Sequence, residues 1–318
     1  MKKYFKDKIL ITGGSGFIGS HISTFFLKKN YRIINFDLKK DKNLEKYSNY
    51  RFIKGDIRDE KNLRKAIQGV KYVFHLAYIN GTHNFYIKPV EILEIASKGI
   101  LNICKLSEEN KIKKLFVFSS SEVYHESKSP TDEKVHLKIP DPHNPRYSYS
   151  GGKIFSEIVS LNYANESKIK FVNIIRPHNV YGPNMGYGHV VPQLYSKIKK
   201  TKNRKKISIK IHGSGNEKRS FIYIDDFTGA FFKVFQNGKN KEIYNIGNND
   251  PVTIKRLIKI FEKTLDKKIS IKVGKLLEGS PKKRSPNVKK LINLGYKKNY
   301  PLEKGIKLYI KSENGNLK

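Results

Sequence analysis

The chain has 318 residues, 38% hydrophobic and 29% charged, with a formal net charge of +36. It holds no run of about 18 apolar residues, which excludes a membrane-spanning helix, and its single cysteine, Cys104, excludes an intrachain disulfide. So basic a chain raises nucleic acid or an anionic surface as partners. Yet the lysines are spread throughout, and the densest cluster, KIKKTKNRKK at 197–206, has no aromatic residue on which a base could stack.

The charge therefore reads as a lysine-rich solvated surface, and neither nucleic acid nor membrane is expected as a partner. The opening MKKYFKDKILITGG has an apolar run too short for a signal peptide. With one cysteine, the expected location is cytoplasmic. Short apolar, β-branched or aromatic runs at 9–12, 33–37, 51–54, 72–76, 115–119 and 171–176 alternate with longer mixed segments. That pattern predicts an α/β fold of the Rossmann type, a doubly wound parallel sheet with crossover helices. After about residue 177 glycine and proline become frequent, and short strands at 208–212 and 220–224 mix with helices at 227–235 and 254–265. The expected division is a dinucleotide-binding domain over 1–176, its sheet completed by later strands, and a smaller α+β substrate lobe over 177–318.

LITGGSGFIG at 10–19 follows the first strand and opens a helical segment, the context in which a glycine-rich turn has a mechanical meaning. One glycine makes the sharp turn, one lets backbone approach a pyrophosphate, and one lets helix pack on sheet. Gly13, Gly14, Gly16, Phe17, Ile18 and Gly19 are thus candidate dinucleotide contacts, with the helix N–H groups facing the phosphates. Asp37 ends the second strand, where a carboxylate binds ribose hydroxyls and disfavours a 2′-phosphate; NAD is expected rather than NADP. Asp56 and Ile57 follow the third strand, and Leu76 and Ala77 the fourth.

Two later stretches carry chemistry. FSSSEVY at 118–124 ends the fifth strand, and YSYSGGKIFSE at 147–157 places Tyr149 and Lys153 four residues apart, on one helix face. An ammonium close to a phenol and to the cofactor ribose favours the phenolate, and a nearby serine hydroxyl can hold a substrate hydroxyl. Alone, this spacing describes many exposed helix faces. After the glycine turn and the serine run it becomes specific.

Jointly, TGGSGFIG, Asp37, GDI, HLA, SSSEVY, Tyr149 with Lys153, RPHNVYGP, RSFIYIDD and KRSPNVKK make the sequence resemble the extended short-chain dehydrogenase/reductases, in their NAD-dependent nucleotide-sugar epimerase/dehydratase group. The resemblance runs over nearly the whole chain. It implies that Tyr149 is the base at a sugar 4-hydroxyl, that Lys153 binds the nicotinamide ribose, and that Ser120 is the catalytic hydroxyl. It implies that Asp56 and Ile57 border the adenine, that Asn179 lies near the sugar diphosphate, and that Arg219 and Arg284 clamp it. It also implies a homodimer through helices at 92–106 and 149–163. An epimerase needs only Ser120, Tyr149 and Lys153. A 4,6-dehydratase or decarboxylase would also use Glu122, with Ser121 at the substrate where many dehydratases carry aspartate. The expected activity is epimerisation through a transient 4-keto sugar, with dehydratase or decarboxylase as alternative. A non-catalytic NAD-sensing or nucleic-acid-binding protein is the alternative of another class, supported only by the charge. No metal site is expected.

The sequence departs from the family pattern at several places. The usual HLAA reads HLAY, which sets Tyr78 beside the expected pyrophosphate wall; an asparagine often found around Ala96 is absent; His125 replaces a glycine; and Asn287 replaces a common aspartate. Asp225 and Asp226 read as helix caps. His178 reads either as a sugar-pocket residue or as packing.

Overall fold

A computed structural model describes residues 5–125, 128–201, 204–275 and 281–315; positions 202–203 of the basic cluster lie outside them. In chain order the first part forms β1 (Lys8–Thr12), α1 (Phe17–Lys28), β2 (Arg32–Asp37), β3 (Tyr50–Lys54), α2 (Glu60–Ile67), β4 (Tyr72–His75), α3 (Thr82–Ile87), α4 (Pro89–Glu109), β5 (Lys114–Phe118), α5 (Tyr147–Asn165) and β6 (Val172–Pro177). There follow β7 (Val180–Tyr181), α6 (Val190–Lys199), β8 (Lys206–Lys210), β9 (Lys218–Arg219), β10 (Ile222–Tyr223), α7 (Ile224–Asn237), β11 (Ile243–Ile246), β12 (Val252–Thr253), α8 (Ile254–Leu265), β13 (Lys268–Lys272), β14 (Lys283–Arg284), α9 (Lys289–Asn293) and α10 (Leu302–Glu313). Two compact units result: residues 1–123, 139–176 and 234–244 in the first, and 124–138, 177–233 and 245–318 in the second.

The first unit is built on a seven-stranded sheet in the order β11-β6-β5-β4-β1-β2-β3, parallel from β6 through β3. Its inner strands β1, β4, β5 and β6 are buried on both faces, so they read as largely apolar runs, whereas the edge strand β3 is partly exposed. Leu10, Val73, Leu115 and Ile174 pack under Ile100 and Ile103 of α4, all fully buried. The alternate residues face the other way, where Phe26, Phe74, Phe116 and Phe235 pack edge to face at centroid distances of 5.1–5.8 Å. Register aligns the strand ends: Thr12 lies level with Phe36 and His75, and His75 with Val117. The loops that follow β1, β2, β4 and β5 therefore leave the same edge of the sheet. Strand order reverses between β1 and β4, the switch point at which such sheets bind ligands.

In the second unit β10 pairs with β7, β9 lies between β12 and β14, and β8 pairs with β13. The last two strands have the same sequence, KISIK, and pair in register, so that Lys206 faces Lys268 and Lys210 faces Lys272. Their isoleucines point inward and their lysines outward. Asp226 does not cap its own helix as expected. Its carboxylate accepts from the backbone N–H of Asn299 (3.1 Å) and Tyr300 (3.0 Å) and so anchors that segment. His178 is fully buried with Nε2 3.0 Å from Asn245 Oδ1, which makes it a packing residue. Among the described residues no helix is long and apolar enough to cross a membrane.

Candidate active site

The glycine turn leaves β1 through Gly13, whose φ of +70° is the left-handed conformation glycine tolerates. Gly14 is required for a different reason: a Cβ there would lie 2.3 Å from Asn35 Oδ1. At Gly19 a Cβ would lie 2.1 Å from the Gly13 carbonyl, so the first turn of α1 packs directly on the loop. Gly16 is the N-cap of α1, without a side-chain cap and without an acidic residue in the first turn. The N–H groups at this helix end thus keep their affinity for an anion. Asp37 Oδ2 accepts from Ser15 N–H at 3.0 Å, which holds the carboxylate beside the loop. These features fit a dinucleotide.

The neighbouring candidates sit on the same strand ends. The Leu76 N–H donates to the Thr12 carbonyl at 3.0 Å, and Ala77 backbone lies against Gly13. Asp56 is bound by the Arg58 guanidinium, with Nη2 at 2.7 Å, which holds its carboxyl below the usual range. Ile57 is buried against Gly99.

Helix α5 presents Tyr149 and Lys153, both nearly buried, at 6% and 5% exposure. Lys153 Nζ donates to the Phe118 carbonyl at the end of β5 (2.7 Å) and lies 5.9 Å from the Tyr149 ring centroid. A positive charge at that range stabilises negative charge developing on the phenol. The Tyr149 ring stacks on Phe85 of α3 at 4.4 Å and meets Tyr78 edge to face at 5.2 Å. Burial pushes the Lys153 ammonium down to about 7, with Glu157 opposing. Burial likewise pushes His75 down to about 3, with the Lys153 charge adding to the effect.

The Lys153 shift has a sign that can be tested. Its folded value lies below the ordinary 10.5, so between about pH 7 and 10.5 the unfolded chain binds more protons and stability rises with pH. Below that window the charged amine is buried at full cost. Lys153→Met should therefore raise the melting temperature at about pH 6 and lose most of that gain by about pH 10. Thermal melts at the two pH values check it.

After β5 the chain makes a short 3-10 turn over Ser121–Tyr124. Ser120 Oγ accepts from Glu122 N–H at 3.2 Å, which leaves its own proton for a ligand. Ser121 is buried. Arg146 Nη2 pairs with Glu122 Oε2 at 3.4 Å, and its side chain is only 7% exposed. Arg146 and Phe85 were not singled out from the sequence. Arg146 lies three residues before Tyr149, one helical turn, and that spacing was the available signal; Phe85 left none. In the second unit, Asn179 takes a left-handed φ of +40° and donates through Nδ2 to the Ser220 carbonyl at 2.9 Å. Arg219 and Arg284 are direct partners across β9 and β14.

The family model described as "NAD dependent epimerase/dehydratase family" matches residues 9–247. The chain belongs to this family. Its relatives include a dTDP-D-glucose 4,6-dehydratase of Mus musculus, 31% identical over 95% of this chain and 87% of the relative. Similar solved structures include a UDP-N-acetylglucosamine 4-epimerase from Methanobrevibacter ruminantium in complex with UDP-N-acetylmuramic acid, at TM-score 0.87 and 25% identity over 99% and 100% of the two chains. A UDP-glucuronic acid 4-epimerase from Bacillus cereus, in complex with UDP-4-deoxy-4-fluoro-glucuronic acid and NAD, superposes at TM-score 0.86 with 26% identity over 97% and 99%. Membership in the NAD-dependent epimerase/dehydratase family makes the chain an enzyme that uses NAD and acts in the nucleotide-sugar epimerase, dehydratase and decarboxylase class.

Proposed function

We propose that the chain is a nucleotide-sugar epimerase. The observation that carries this choice is the Arg146–Glu122 pair. A dehydratase needs a free carboxylate as a second base and an acid for the departing hydroxyl. Here the carboxylate at 122 is held by a guanidinium. What remains is the minimal proton-transfer set of Ser120, Tyr149 and Lys153.

In this reading Tyr149 takes the proton from the sugar 4-hydroxyl while Ser120 holds the same oxygen, and Tyr149 returns the proton after the ketose has presented its other face. Lys153 binds the nicotinamide ribose and balances the charge on Tyr149. NAD supplies the hydride acceptor and donor at the sugar carbon. At the turn formed by Gly13, Gly14, Gly16 and Gly19, the N–H groups of Phe17 and Ile18 at the start of α1 would hold its pyrophosphate, the Gly13 and Gly16 amides being bonded to the Phe36 and Gly13 carbonyls; Asp37 would hold its adenosine ribose, and Asp56 and Ile57 its adenine, with Leu76 and Ala77 along the same edge. Ser121, Asn179, Arg219 and Arg284 bind the sugar nucleotide, the arginines at its diphosphate.

Incubation with a panel of nucleotide sugars, followed by mass and NMR, tests the reading. Unchanged mass with altered stereochemistry is expected; loss of water or of carbon dioxide would assign the dehydratase or decarboxylase instead. Glu122→Gln should change turnover by less than about tenfold, since removing a true general base costs about 10²–10⁴.

The reading includes a cytoplasmic homodimer. Helices α4 and α5 leave Val90, Leu93, Leu101, Phe155 and Ile158 exposed, apolar side chains that a partner subunit would cover. The double variant Leu93→Glu, Ile158→Glu should run as a monomer in sedimentation while the wild type runs as a dimer.

A further inference from the structure

Two departures from the family pattern, Tyr78 and Ala96, meet at Gly152. A Cβ on Gly152 would lie 2.2 Å from the Tyr78 hydroxyl oxygen and 2.6 Å from Ala96 Cβ. The glycine thus leaves a notch in α5 next to Lys153, and the Tyr78 hydroxyl fills it, 3.5 Å from the Tyr149 carbonyl. With its hydroxyl seated there, the Tyr78 ring has the Lys153 ammonium 3.7 Å from its centroid and stands perpendicular to the Tyr149 ring, 5.2 Å away. One neutral aromatic side chain therefore touches both members of the acid–base pair. Tyr78 does not titrate in the working range, because burial pushes its phenol far up.

We propose that Tyr78 is a positioning residue for Tyr149 and Lys153, holding the ammonium on its ring face and keeping water from it. The other groups facing Lys153 make this role necessary. From β4, His75 is neutral at any working pH. From α5, Glu157 is already bound by Arg176 of β6 at 2.5 Å. From β5 there is one carbonyl, that of Phe118. The ring face completes the cation's surroundings, a recognised means of holding an ammonium out of water.

The proposal rests on Lys153 belonging to the reactive pair, and its test does not need the substrate. The full chain is labelled with trace acetic anhydride across a pH series, and acylation of Lys153 is read by peptide mass. Wild type and Tyr78→Phe should share a midpoint near neutral pH. Tyr78→Leu excludes water without offering a π face, so its midpoint should fall. Tyr78→Ala admits water, so its midpoint should rise by about one pH unit or more, a tenfold change in proton affinity. Coincident midpoints for Phe and Leu, or an unmoved midpoint in Ala, would overturn the proposal, since a mere space-filler would leave Phe and Leu alike. If Tyr78→Ala does not fold, the Phe and Leu variants decide. Failure of the ribose role assigned to Lys153 shows separately, as Lys153→Met binding NADH as tightly as wild type, and leaves the labelling midpoints as they are.

Discussion

Tyr149→Phe should leave NAD binding intact and lower turnover at least about 100-fold, the scale for loss of a positioned acid–base group. The ring is stacked on Phe85 and abuts Tyr78, and phenylalanine keeps both contacts. Only the hydroxyl is lost, so the variant separates proton transfer from architecture. Kinetics on the sugar identified by the panel, together with a cofactor-binding titration, read the two effects apart. Turnover within a few-fold of wild type would remove Tyr149 from the mechanism.

The second large effect concerns stability. Glu157→Ala should destabilise the protein by about 3–5 kcal/mol, the cost of leaving a buried ion without its partner. Glu157 and Arg176 are almost completely buried, at 4% and 2% side-chain exposure, and join through two hydrogen bonds of 2.9 and 2.5 Å. The pair ties α5 to β6 one turn beyond Lys153, so it also fixes the height at which the lysine meets Phe118. The loss should appear as a lower urea midpoint. Replacing both partners by apolar residues of similar size should cost much less, because no charge is then stranded.

The turn and the parallel sheet were legible because each is local. Alternation of short apolar runs announces buried parallel strands, and GGSGFIG after a strand has few other uses. Tyr149 and Lys153 were legible through helical spacing. The positive φ at Gly13 was not, because two adjacent glycines serve a turn equally well until Asn35 is seen against the second. Pairs distant in sequence left no pattern: Arg146 with Glu122 is 24 residues apart, and Tyr78 with Tyr149 is 71 apart. The two-residue strands β9 and β14 are too short for any periodicity, yet they set Arg219 beside Arg284.

The twin KISIK strands carry a cost of their own. Identical cations standing rank to rank repel, and nothing in the ladder itself offsets that. Dissolved ions do so instead, within a screening distance of about 8 Å at physiological strength. This corner of the fold thus borrows part of its cohesion from the surrounding electrolyte and should be at its loosest in dilute buffer.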